Sequence, residues 1–403
     1  MAASPGGAAM ELCCTVVSDI AELEAMQGDW EALLDRSDCN EPTLSPLWIL
    51  AWWRVFGGTD GRCLRALRIT REGRLVGLLP LVARRVWHRG VPFRRLEALP
   101  SGEDEEDEIV SEYIGIVTER GEEDAVAEAT ARALAGGLLG AWDEVVLPAM
   151  DGSKRAPFAL ADALGRRDLR VTLTERGRSP YVALPPSFEA YLAALPSSRR
   201  YLVRRSMRDL ESFGHGELVL SVARTPDELV SARATLISLH SARWQRDDRS
   251  GVFSSQKFTA FHDAVMPALL ERGALELSVL RAGGEPVAAL YNLVWNDKVY
   301  FYQSGRRADL PPKLRPGIAA HALAIRMAIA SGRREYDFLG GDVRYKLDMA
   351  LASRPIVEIR AARRTLREAL RDHAERAARE WARLRGRPCT KQRPVEAFAE
   401  EEP

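Results

Sequence analysis

Cysteine is sparse in this 403-residue chain. Its five cysteines, Cys13, Cys14, Cys39, Cys63 and Cys389, are odd in number and include no C-x-x-C pair. They indicate neither a disulfide framework nor a cysteine-built zinc site, and a reducing cytoplasm fits them best. Excess charge is absent as well. Lys+Arg and Asp+Glu both number 57, so no overall field draws the molecule toward DNA or tRNA. No window approaches the roughly 18 apolar residues of a membrane-spanning helix. The opening MAASPGGAAM lacks the basic start and apolar centre of a secretory signal. Together these absences predict a cytoplasmic protein with no transmembrane segment. The acidic run EDEEDE (103–108) does not space its carboxylates as a ligand cage, so it reads as a solvated loop and no metal is expected.

What is present is apolar sequence in regular packets. Hydrophobic residues make up 46% of the chain, enough for two domains with separate cores. Two stretches, 64–90 and 275–305, each read as an apolar strand, a polar turn and a longer apolar strand. Each is followed by a helical pattern, at 122–140 and 317–332, and then by a short strand, at 143–150 and 335–341. The expected class is α/β of the α+β kind, a mixed and mostly antiparallel sheet with flanking helices, built twice. The expected order is a disordered tail (1–10), a first lobe (11–180), a second lobe (181–362), an amphipathic helix (363–387) and a disordered tail (388–403). On that last helix Leu366, Leu370, Ala374, Ala377, Trp381 and Leu384 recur at helical spacing. Such a stripe predicts packing against the second lobe or, in a homo-oligomer, a partner subunit. Membrane-surface binding is the lesser alternative, because acids are interspersed with the arginines.

Chemistry gathers in the second lobe. The strand VYFYQSG (299–305) leads through a basic loop into a helix beginning near Gly317. The first turn of a helix has unpaired N–H groups and the positive end of the dipole, a seat for phosphate. Lys313 and Arg315 add charge beside it, while Gly317, Ile318 and Ala319 form the turn itself. Next comes YDFLGGDVRYK (336–346). An acid such as Asp337 between apolar neighbours needs a partner or a task, and an internal ion pair with Arg344 or Lys346 is as good a reading as catalysis. The basic helix near 199–208 reads either as a solvated face or as a contact for an anionic substrate. Arg199, Arg204, Arg205, Arg243 and Trp244 are the residues that could hold a phosphorylated sugar.

These segments together resemble the acyltransferases of the GNAT superfamily, in particular the CelD or cellulose-biosynthesis type, which is related to FemAB transferases. The resemblance rests on GRREYDFLGGDVRYK (332–346), the RPG step into the helix, SPLWILAWWRVFG (45–57), GRLVGLLPLV (73–82), 195–214 and HSARWQ (240–245). It covers most of residues 12–362. It implies tandem GNAT-like lobes, with the cofactor site in the second. The co-substrate would be acetyl-CoA or another acyl-CoA. Its diphosphate would lie over Lys313, Arg315, Gly317, Ile318 and Ala319, and its pantetheine arm would run along Gln303, Ser304 and Gly305. Asp337 would take the acceptor's proton, with His321 or His240 in reserve. Lys346 or backbone N–H groups would hold the oxyanion, and Tyr345 would protonate the leaving thiolate. The implied acceptor is a sugar, sugar nucleotide or polysaccharide precursor. The segment KLRPGIA (313–319) departs from the family's pyrophosphate loop by lacking one glycine. The alternatives are an aminoacyl-tRNA-dependent transferase, for which the neutral chain offers no basic groove, and a non-catalytic scaffold.

Overall fold

A computed structural model of the chain describes residues 11–246, 251–311, 313–341 and 343–384. The two expected tails, 1–10 and 388–403, lie outside the described residues, as do residues 385–387 of the expected amphipathic helix. The chain forms two compact units. Among the described residues, the first holds 11–102, 111–176 and 356–384, and the second holds those within 103–110 and 177–355. Residues 356–384, which the sequence pattern placed in the second lobe and in a helix of its own, are thus part of the first unit.

In the first unit, Cys13–Val17, Ala66–Arg71, Arg74–Leu79 and Val117–Thr118 make one four-stranded sheet. Glu144–Asp151 lies antiparallel to residues 356–362 and parallel to Val91–Ala98, which pairs in turn with Leu81–His88. The long second strand expected within 64–90 is therefore two strands in different sheets. Pro80 sits at the break; it has no N–H to continue the ladder. The helices Glu123–Ala135 and Arg155–Gly165 bury Val126, Leu134, Leu160 and Leu164 against Val145, Leu147 and Ile359.

The second unit keeps the expected meander intact. Leu275–Ala282, Glu285–Trp295 and Lys298–Arg306 run antiparallel in sequence order, with Leu218–Val222 at the edge. Their apolar residues pack with the helix Pro316–Ala330, whose Ile318, Ala319, Ala322 and Ile325 are buried, and with Val203 and Leu210 of the helix Ser197–Phe213. The acidic run also belongs here and is not a free solvated loop. Asp107 is buried, accepting from Ser255 Oγ at 2.6 Å and Lys257 Nζ at 2.8 Å, and Ile109 O accepts from Tyr302 Oη. Both hydrogen bonds hold the Asp107 carboxyl below the usual carboxylate range.

The helix Leu366–Leu384 docks on the first unit in the opposite sense to its pattern. Its charged side faces the protein. Glu368 is 4% exposed and takes both guanidinium nitrogens of Arg360, at 2.7 and 2.6 Å. Glu144, fully buried, collects Arg95 at 2.8 Å, Arg360 at 2.8 Å and Arg371 at 2.6 Å. Burial alone would raise the Glu144 carboxyl; Arg95, Arg360 and Arg371 outweigh it and hold the group below its ordinary value. Leu366 and Leu370, expected to pack inward, are 86% and 60% exposed.

Candidate active site

Lys298, Val299 and Tyr300 pair in parallel with Glu335, Tyr336 and Asp337. The ladder then ends. Among the described residues Lys298–Arg306 continues as a strand paired only with Glu285–Trp295, while the other strand turns at Leu339 and Gly341. Leu339 has φ +56°, a left-handed conformation that costs a branched residue energy and is commonly kept at functional sites. Its N–H donates to Asp337 Oδ1 at 2.7 Å, which fixes the turn.

The strand alternation places the candidate residues on two faces. Tyr336 Oη lies 2.9 Å from Nδ1 of His321, so it points toward the helix Pro316–Ala330. Asp337, the next residue, points to the other face. There Arg354 stands 3.8 Å from Asp337 and 2.6 Å from Glu335, and stacks over Tyr181; Lys298 lies 3.8 Å from Glu335. Asp337 is fully buried, and burial pushes its carboxyl up to about 7 although Arg354 pulls the other way. A carboxyl that titrates near neutrality can exchange a proton at physiological pH. Neither of the ion-pair partners expected for it, Arg344 and Lys346, is the one found. Arg344 reaches instead toward Asp348, and the Lys346 ammonium donates to Gly340 O at 2.6 Å.

His321, Tyr345 and Lys346 gather on the first face. His321 stacks on Tyr345 (5.4 Å, 26°) and meets Phe301 and Phe338, while Lys346 sits 5.5 Å from the Phe301 ring. Burial, assisted by Lys346, lowers the His321 imidazole to about 3. It therefore stays neutral and packed, which is the environment of a core histidine and not of an accessible base. His240, the other reserve, is buried edge-on to Phe253.

The helix start fits an anion. Pro316 occupies the first turn, no side chain caps it and no acid lies in it. A Cβ built on Gly317 meets nothing within 4 Å. Lys313 is exposed and Arg315 half-buried beside it, and Ile318 and Ala319 turn their side chains into the core. The residues of the preceding strand end are engaged in structure. Gln303 Oε1 accepts from Ser304 N at 2.8 Å. Gly305 is required by a neighbour, since a Cβ there would stand 2.8 Å from His240 N and from Leu236 O of the helix Pro226–Arg246.

Of the expected substrate arginines, Arg199 is drawn to the site's edge by Asp348 at 2.6 Å, on the short helix Arg344–Met349. Arg204 and Arg205 are exposed and pair locally with Glu189 and Asp209. The side chains of Arg243 and Trp244 lie outside the described residues. Sequence spacing alone does not single out Arg354, Glu335 and Lys298, although each is a charged residue inside or at the end of an apolar strand.

Residues 197–347 match the family described as acetyltransferase (GNAT) domain. Over that stretch the chain is similar to a GNAT domain. The GNAT match covers the strand pair, the helix start and the Asp337 turn. Among solved structures, FemX is similar over 85% of this chain and 97% of its own, at 12% identity and a TM-score of 0.53. L-PGS from Bacillus licheniformis covers 88% and 96% at 12% identity and 0.49. A tandem GNAT protein from the clavulanic acid biosynthesis pathway covers 87% and 98% at 14% identity and 0.41. At these identities the likeness concerns the fold. No curated protein sequence matches.

Proposed function

We propose that the second unit of this GNAT fold transfers an acyl group from acyl-CoA to an amine or hydroxyl of a small acceptor. The observation that carries this reading is the parallel pair that ends after Tyr300 and Asp337, beside an uncapped helix start free of acids. The open space over Gly317, with Lys313 and Arg315 at its edge, suits a diphosphate. The gap beyond the ladder leaves backbone groups of Lys298–Arg306 for an extended amide-bearing arm. Asp337 is the proposed base. As the acceptor nitrogen or oxygen bonds to the thioester carbonyl, its proton passes to the Asp337 carboxylate; collapse of the tetrahedral species breaks the carbon–sulfur bond and releases the thiolate. Arg354 holds that carboxylate in place and keeps it from rising further. Tyr345 and Lys346, on the other face, shape the turn at 338–341 in this reading and take no proton. The acceptor implied by the sequence resemblance is a sugar, sugar nucleotide or polysaccharide precursor, with Arg199, now paired with Asp348, as the proposed contact for its charge.

Calorimetric titration of acetyl-CoA into the whole chain tests the donor. Heat in the wild type, lost in Gly317→Glu at an unchanged melting temperature, supports the reading. Absence of heat in both overturns it and returns aminoacyl-tRNA-dependent or non-catalytic roles.

A further inference from the structure

The reversed docking of the helix Leu366–Leu384 engages three of its four acids. Glu368 binds Arg360, Asp372 binds Arg170, and Glu375 binds Arg371 at 2.9 Å with His88 at 3.6 Å. These acids are engaged on the inner side. The Arg89 guanidinium also donates to Ala374 O at 3.1 Å, fixing the helix along its length. The outer side carries Leu366, Leu370 and Trp381, with Trp381 54% exposed. Flanking them are Arg364, Arg367 and Arg376, with side chains 69%, 48% and 62% exposed. His373 and the acid Glu380 are exposed too. Arg364 has the exposed Asp168 at 3.1 Å and Arg376 has Asp372 at 3.9 Å, surface pairs that hold charge weakly. Arg367 reaches the buried Asp143 at 3.3 Å, a carboxylate that Arg94 already holds at 2.9 Å.

We propose that this face binds an anionic phospholipid surface. Interspersed acids are what speak against a membrane role in the bare sequence, and the fold engages three of the four on this helix, Glu368, Asp372 and Glu375, leaving Glu380 outward. What remains outward is a leucine and tryptophan stripe with a basic rim, the composition of a helix lying in the headgroup layer. A second copy of the chain fits less well. Two such faces would bring their arginine rims together, and Glu368, Asp372 and Glu375, which could answer them, are already held. The inference does not depend on the acyl-transfer reading, because it concerns the first unit alone.

Vesicle flotation of the whole chain tests it, with vesicles of phosphatidylcholine alone and with a quarter phosphatidylglycerol. Binding is expected to the anionic vesicles only and to weaken in high salt. Leu366→Glu with Leu370→Glu should weaken it about tenfold per leucine. Arg364→Glu with Arg376→Glu should weaken it and flatten the salt dependence. All variants should keep the wild-type melting temperature, since the altered side chains are exposed. No flotation at low salt overturns the proposal, as does equal flotation of wild type and leucine variant. So does a lipid-free dimer in sedimentation equilibrium that the leucine variant splits, because a second copy then covers the face.

Discussion

The two units repeat one pattern and finish it differently. In the first, Arg95, Leu96 and Glu97 pair in parallel with Glu144, Val145 and Val146; in the second, Lys298, Val299 and Tyr300 pair in parallel with Glu335, Tyr336 and Asp337. A helix comes between the strands each time. Glu123–Ala135 in the first unit opens with Glu123 and Asp124, and Glu123 Oε2 accepts from Gly121 N at 2.9 Å. Its dipole is already answered by the chain's own carboxylates. Pro316–Ala330 in the second opens on proline and glycine with no acid. Past the parallel pair, the first unit lets Ile114 N donate to Ala149 O at 2.9 Å, so its own backbone takes the place beside the strand. The second unit has the Asp337 turn there. The lesson is that a duplicated fold need keep only one open end: side chains of one sign and one inserted segment are enough to close the other.

The comparison can be broken most directly at Asp337. Replacing it with Asn should lower kcat by about 10²–10⁴-fold, the usual contribution of a positioned base. In the wild type, activity should rise as pH passes about 7, where the carboxyl loses its proton, and the pH profile of the variant should lack that limb. The same group links to stability with the opposite sense. Its folded pKa is raised above the ordinary carboxylate value, so the folded state holds a proton the unfolded chain has lost, and stability from this group falls between about pH 4 and pH 7. Denaturant titrations of wild type and Asp337→Asn across that range check the sign.

The first unit's counterpart is structural. Glu144→Gln leaves three arginines facing a neutral amide and should cost about 3–5 kcal/mol in chemical denaturation. If instead it lowers activity at full stability, the first unit has a part in chemistry and the contrast fails. A smaller effect is expected from Tyr336→Phe, which removes the partner of His321 Nδ1 and should cost about 1–3 kcal/mol. The smallest sharpens the helix starts. Glu123→Gln with Asp124→Asn removes the acids of the first unit's helix and should destabilise the fold by less than about 2 kcal/mol by thermal melting. It should also leave acetyl-CoA binding unchanged, because the gap there is already filled.

Much of the second unit was readable from residue order. The meander, the helix after it and the odd acid in YDF are local patterns, and the structure has strands and a helix in each place. Other features depend on partners far along the chain. Nothing in Leu366, Leu370 and Trp381 shows that their face is outward; that follows from Glu368 meeting Arg360 and Glu144 meeting Arg95 and Arg371. Asp107 reads as solvated until Ser255 and Lys257 are brought to it. At the candidate site, spacing groups Asp337 with Tyr345, Lys346 and His321, yet strand alternation puts the acid on one face and the rest on the other. Gly305 looks like room for a ligand and is room for a helix.

One consequence of the interleaved boundaries concerns how the gene can be divided. Residues 103–110 leave the first unit to become part of the second, and residues 356–384 return to complete the first. A fragment stopping near 180 would lack the strand at 356–362 and the arginines that neutralise Glu144, while one starting there would lack the Asp107 anchor. Neither half is an excisable module, so the polypeptide must be synthesised through the helix Leu366–Leu384 before the amino-terminal part can finish folding.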